Sequence, residues 1–200
     1  MDDIVLRGMA RWPNVPAVYG WLSLDRRGQW LIKGERISNP TVTAFIGRNY
    51  ERDGRGCWFF QNGPQRVFVQ LDYAPLVLRV AGAEGIALEF EAHTGKRAAA
   101  IEGAWLDEDG SLILSTDLGP GLIDDRDLPR LETSFVDANG TPLPEAVLDE
   151  LMELAAQQRA VPLWLGFRER SVKVDSIRSG DVPARFGFVR DPQPPKGSDQ

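Results

Sequence analysis

Three observations predict an α+β fold built as two repeated β-hairpin–helix–β-hairpin units with small, mostly antiparallel sheets. Apolar residues fall in short, strand-length runs broken by turns, in a chain with 20 Gly and 14 Pro among 200 residues. One segment, Leu148, Leu151, Met152 and Ala155, has the i, i+3, i+4, i+7 spacing of a buried helix stripe. The order of hairpin, helix and Trp-led hairpin then recurs in both halves of the chain.

Val18 to Leu24 is apolar, Asp25-Arg26-Arg27-Gly28 interrupts it, and Gln29 to Ile32 resumes. Asp at the first turn position accepts hydrogen bonds from nearby amides, and Gly at the fourth tolerates positive φ, so 18–33 is a predicted hairpin. Asn39 as cap and Pro40 as first residue open a helix over 40–51 that presents Val42, Phe45, Ile46 and Tyr50. The β-branched Thr41-Val42-Thr43 favours a strand instead. The repeated order weighs toward the helix, and both readings stay open at the level of sequence.

A second hairpin spans Cys57 to Leu71, turning at Asn62-Gly63-Pro64. Val77–Val80 and Ile86–Glu91 are further strands. The segment 118–131, with Gly119-Pro120-Gly121 and Asp124-Asp125-Arg126-Asp127, reads as a loop or irregular edge. The clear helix starts with Pro144 at its first position, carries Glu145, Asp149 and Glu150 early, and cannot continue past Pro162.

The repeat rests on ordered similarity. Trp21 leads to Leu24-Asp25-x-x-Gly28, and Trp105 leads to Leu106-Asp107-x-x-Gly110, each followed by an apolar run. Each helix precedes a Trp that opens a strand, Trp58 and Trp164. The second strands carry Val67-Phe68-Val69 and Val172-Lys173-Val174, and an x-Pro step then leads to a strand at Pro75 and Pro183. The expected units are 15–81 and 99–190, with 191–200 a flexible tail.

Composition and charge exclude several functions. With 42% apolar and 26% charged residues the chain is globular rather than disordered. No apolar run approaches the ~20 residues of a membrane helix, and Met1-Asp2-Asp3 does not begin a secretory leader. A cytoplasmic protein with no membrane partner is expected. One cysteine excludes an internal disulfide and a multi-cysteine zinc site. The net charge of −6 is uneven: residues 1–80 hold 11 basic and 7 acidic residues, whereas 102–153 hold 14 carboxylates against Arg126 and Arg130. Cations this dilute do not form a phosphate-binding stripe, so no nucleic-acid partner is expected.

Gly28-Gln29-Trp30-Leu31-Ile32-Lys33-Gly34-Glu35-Arg36-Ile37 and Gly63-Pro64-Gln65-Arg66-Val67-Phe68-Val69, leading to Asp72-Tyr73-Ala74-Pro75, resemble an uncharacterised proteobacterial family, domain of unknown function 1285. The layout is similar over much of 20–175. Gln65-Arg66 stands where that family has an acidic residue, and Tyr73 displaces Asp72 from the step before Ala-Pro, as in a sister family. The resemblance implies repeated α+β motifs, a long helix before a late Trp-containing strand, and a role in signal transduction.

Candidate chemistry is sparse. Glu89, Glu91 and His93 share one face of a strand and combine oxygen and nitrogen ligands for a divalent metal. The competing reading is the solvent face of a strand whose Leu88 and Phe90 point inward. Cys57 has no neighbouring base in sequence and reads as a buried small hydrophobe beside Trp58-Phe59-Phe60. Asp107-Glu108-Asp109-Gly110 lacks the downstream acid of a calcium loop and reads as a hairpin turn. Trp21, Trp30, Trp58, Trp105 and Trp164 are expected in the core, and Trp12 is expected to pack the N-terminal arm. Arg48, Arg52, Arg55 and Arg66 gather near the second hairpin as an anion site or a solvated face. No catalytic, cofactor or metal residue follows. The expected function is a non-enzymatic module binding a protein or small molecule in a signalling or regulatory role. The alternatives are a metal- or carboxylate-dependent enzyme and a structural subunit.

Overall fold

The computed structural model describes residues 1–12, 15–82, 88–168 and 170–195. The first stretch contains α1 (Asp3–Arg11), β1 (Val18–Leu24), β2 (Trp30–Ile32), β3 (Glu35–Arg36), α2 (Pro40–Arg48), β4 (Tyr50–Arg52), β5 (Trp58–Asn62) and β6 (Gln65–Leu71). Next come β7 (Leu76–Ala81), β8 (Glu89–Ala92), β9 (Ile101–Leu106), β10 (Leu112–Thr116) and β11 (Gly119–Ile123). A 3-10 segment (Asp125–Ser134), β12 (Phe135–Val136), α3 (Glu145–Ala156), β13 (Trp164–Phe167), β14 (Arg170–Ser176) and α4 (Val182–Phe186) complete the order.

The fold is α+β. A six-stranded sheet runs β3-β2-β1-β6-β5-β4, and an eight-stranded sheet runs β12-β13-β14-β9-β10-β11-β7-β8. Most neighbours are antiparallel; β1–β6, β9–β14 and β7–β11 are parallel. The chain passes between sheets after Leu71, inside the expected unit 15–81, because β7 pairs with β11 in the larger sheet.

The hairpin turns are set by aspartate. Asp25 Oδ1 accepts from the N–H groups of Arg27 and Gln29, and Asp107 Oδ1 accepts from those of Asp109 and Ser111. Each turn closes on a glycine at positive φ, Gly28 at 73° and Gly110 at 77°, which a side chain would strain. Asp53 and Asp137 build the same Asp-x-x-Gly turn.

Residues 40–48 are helical. Asn39 Oδ1 accepts from the Thr41 and Val42 N–H groups at 2.9 and 3.4 Å, and this cap outweighs the β-branched run. Pro144 caps α3 rather than occupying its first turn. Several expectations are corrected. The 118–131 segment contains β11 and most of the 3-10 segment, because Gly119–Ile123 pairs with both β10 and β7. Pro183 lies in α4, not before a strand. Strand β8 begins at Glu89, and Ile86 lies outside the described residues. Helix α1 is an addition to the expected elements; Asp2 precedes it, Asp3 lies in its first turn and Arg11 ends it, as its dipole favours.

One continuous hydrophobic core joins the sheets, from Leu22, Leu24 and Trp30 to Leu112, Leu114, Leu165 and Val174. A smaller cluster of Cys57, Phe59 and Phe68, with Tyr19 and Val189, covers the outer face of the six-stranded sheet. The chain end straps back over the first half: Arg190 O accepts from Leu71 N–H, and its guanidinium lies 5.0 Å from the Tyr73 ring, which Arg26 also flanks at 4.3 Å. Asp191, in the expected tail, accepts from Gln70 Nε2 at 2.8 Å. Among the described residues no helix is long and apolar enough to cross a membrane.

Candidate functional site

The largely apolar concavity beside α2 follows from a mismatch of lengths. Nine helical residues span about 14 Å, whereas the seven-residue strand β6 of the same sheet spans about 23 Å. Helix α2 therefore covers only part of the inner face of the smaller sheet. It is anchored at its C-terminal end, where a side chain at Gly47 would meet Thr94 Cα at 3.1 Å, and by Phe45 packing edge-on against Phe60 at 5.5 Å.

The uncovered end is a groove of about 620 Å³. Val18, Trp21 and Leu22 of β1, Phe60 of β5 and Val67 of β6 form its sheet side, with Ile32 of β2 at one border. Val42, Phe45 and Ile46 of α2 form the other wall. Trp21, Ile32 and Val42 are 53%, 47% and 41% exposed, although sequence patterning assigns such residues to the interior. Among the described residues the polar lining is Asn62 and Gln65, two neutral amides. Gln65 Nε2 donates to Pro16 O at 3.2 Å, which ties the chain entering β1 to this end. Such a surface desolvates an apolar ligand, and among the described residues its lining carries no titratable or nucleophilic side chain.

A second concavity of about 670 Å³ lies on the outer face of the larger sheet, beside Trp105 and Phe186. Its lining is charged, and two of its groups, Lys173 and Asp175, pair at 2.8 Å.

Glu89, Glu91 and His93 do not converge. Glu89 and Glu91 both pair with Arg97, at 2.8 and 3.3 Å. His93 lies just past β8, with its ring 5.0 Å from Trp30 and 5.8 Å from Tyr50. Its Nδ1 accepts from the Val77 N–H at 3.2 Å, and Nε2 has no partner. Burial pushes this imidazole down to about 3, so it is neutral near pH 7. Among the described residues no group of three or more His, Cys, Asp or Glu is placed to hold a metal.

Cys57 is buried as expected, and burial pushes its thiol up, with Asp53 adding to the shift. The four arginines have separate partners: Arg48 pairs with Asp2, Arg52 donates to Gly187 O, Arg55 pairs with Asp53, and Arg66 lies over Phe59. They form no common anion site. Trp30 and Trp58 are in the core, but Trp21 and Trp12 are exposed, the latter by 59%. Trp12 ends α1, with its N–H bonded to Gly8 O and its ring largely in solvent. Asp107 is a turn residue, fully buried, and also accepts from the Tyr73 hydroxyl at 2.5 Å. Burial, then this hydrogen bond, raises the Tyr73 pKa.

Sequence reading missed the groove. Its one available signal was Trp21 and Ile32 in a hairpin whose partner helix is only nine residues long.

The fold is similar to that of a DUF1285 family protein from Silicibacter pomeroyi DSS-3, with a TM-score of 0.55 and 18% identity, covering 82% of this chain and 85% of that chain. A DUF1285 family protein from Shewanella baltica OS155 gives a TM-score of 0.42 at 18% identity, covering 55% of this chain and 87% of that one. No curated protein matches the chain. Residues 1–193 match the profile of DUF2944, described as "Protein of unknown function (DUF2946)".

Proposed function

This chain belongs to the DUF2944 family, and on that premise we propose that it is a non-enzymatic ligand- or protein-binding module, in a signalling or regulatory role, that works through the groove beside α2. The observation that carries this reading is an open trough of about 620 Å³ whose walls are apolar and whose polar lining is two neutral amides. Specific sites for small ligands have this character: a concave, mostly apolar surface of roughly 300–1,000 Å³ with few polar groups. Keeping Trp21, Ile32 and Val42 about half in water forgoes about half of the roughly 1.5–3 kcal/mol that full burial of a large side chain contributes, and a bound ligand restores it.

The test is titration with N-phenyl-1-naphthylamine, a neutral apolar fluorophore. The expected result is saturable enhancement at one probe per chain, abolished in Val42→Asp with the far-UV circular dichroism unchanged. Equal binding by a folded Val42→Asp protein would refute the reading.

We also infer that the scaffold is duplicated, with copies at 15–81 and 99–190. Support comes from the matching strand orders β3-β2-β1-β6-β5-β4 and β11-β10-β9-β14-β13-β12. Trp30 pairs with Leu24 and Leu112 with Leu106, each across an Asp-x-x-Gly turn. Asp72 N–H donates to Leu24 O at 3.0 Å, as Ile177 N–H does to Leu106 O at 2.9 Å. In this register Trp21 aligns with Gly103 and Trp105 with Ser23, so the two tryptophans are offset by two residues. The helices differ, since α2 precedes β4 while α3 follows β12. An experimental structure in which Trp30 and Leu112 fail to superpose when the two turns are overlaid would sink the duplication.

A further inference from the structure

The groove has one cation at its mouth. Lys33 occupies the two-residue turn between β2 and β3 at a positive φ of 49°, followed by Gly34 at 84°. Its N–H donates to Trp21 O at 2.8 Å, which fixes the turn against β1. Its ammonium lies 3.9 Å from the centre of the Trp21 ring, and that ring lines the groove. No carboxylate among the described residues forms an ion pair with it, whereas most of the other cations near this sheet have polar or charged partners. The far end carries only the neutral amides of Asn62 and Gln65. From Leu22 to Val18, which pair with Val69 and Val67, the trough runs over about two residues of β6, roughly 7 Å, because β1 bulges at Gly20. The arrangement is an apolar channel with a cation stacked on one of its lining rings.

Resting on the groove as the binding site, we propose that its ligand is a single-chain amphiphilic carboxylate, with the hydrocarbon chain along β1 and the anionic head at Lys33. An apolar chain supplies affinity in proportion to its buried length. The carboxylate favours the orientation that sets its head at Lys33, a counter-charge with no ion-pair partner among the described residues. The ring beneath the ammonium holds it in place and shields one side from water.

The full chain would be titrated at low ionic strength with octanoate, decanoate and dodecanoate, below their micelle concentrations, following Trp emission and heat. Dodecan-1-ol and dodecyltrimethylammonium are the neutral and cationic controls. Affinity should rise about fourfold per added methylene. Lys33→Gln should weaken dodecanoate about 1.4- to fivefold, the range of an exposed ion pair, and leave dodecan-1-ol unchanged. Lys33→Arg should restore carboxylate binding, and raised salt should erase the Lys33 effect. Equal loss for the acid and the alcohol in Lys33→Gln, or tighter binding of the ammonium amphiphile, overturns the carboxylate assignment while the groove stands. Absence of binding by all three head groups and by the neutral fluorophore overturns the groove as well.

Discussion

The inner faces of the two sheets are covered differently. On the larger sheet α3, with 12 residues, lays Leu148 and Ala155 into the core over β9 and β14, where Leu106, Leu165 and Val174 are at most 1% exposed. On the smaller sheet α2 has nine residues, and Trp21, Ile32 and Val42 stay about half in solvent. Both helices are amphipathic, and each sheet contains a parallel pair, β1–β6 in the smaller and β9–β14 in the larger. The difference is about one helical turn. A sheet face longer than its helix leaves an apolar strip that folding cannot bury, and that strip is available for binding.

The largest expected effect separates the sealed face from the open one. Leu165→Ala should destabilise the protein by about 4 kcal/mol, because it leaves a cavity in a rigid core. Val42→Ala at the groove should change stability by less than about 0.5 kcal/mol, since its site is already open to water. Equal costs in urea denaturation would show that the groove is packed as tightly as the core.

The next effect concerns the junction of the two sheets, where His93 sits between Trp30 and Val77. Its folded-state value of about 3 lies below the unfolded value of about 6.5, so the unfolded chain binds the proton more readily. The stability tied to neutral His93 is full above pH 6.5 and is lost as the pH falls toward 3. Its share of the loss is about 3 kcal/mol by pH 4. His93→Phe should flatten this part of the pH–stability curve; an unchanged slope would place the acid sensitivity elsewhere, in carboxylates such as Asp124, which its hydrogen bonds with Arg126 hold down to about 2.

The smallest effect compares the two matched turns. Asp25→Ala should cost about 1 kcal/mol and Asp107→Ala about 2 kcal/mol, because Asp107 also satisfies the buried Tyr73 hydroxyl. Equal losses, measured by thermal melts at pH 7, would mean that the Tyr73 contact adds nothing to the turn.

Much of the fold was legible because its signals are local. The Asp-x-x-Gly turns, the Asn39 cap and the 148–155 stripe act within a few residues of their own backbone, so the sequence is enough to place them. The eight-stranded sheet was not legible: β7 and β11 pair in parallel across more than forty residues, and nothing in Leu76–Ala81 names Gly119–Ile123 as its partner. Glu89-x-Glu91-x-His93 failed as a metal site for a related reason. Alternation assigns a face only inside a strand, and β8 ends at Ala92, so His93 turns into the core among aromatic rings.

The sequence by itself determined the α+β class, the turn positions and the helix over Glu145–Ala156, and it left the segment after Asn39 between helix and strand. It did so because propensity, capping and periodicity are properties of neighbouring residues. Only the tertiary structure decided which tryptophans are buried, how far each helix reaches over its sheet, and where an apolar surface stays open. Those outcomes depend on the relative lengths and placement of elements far apart in the chain, which no local pattern encodes.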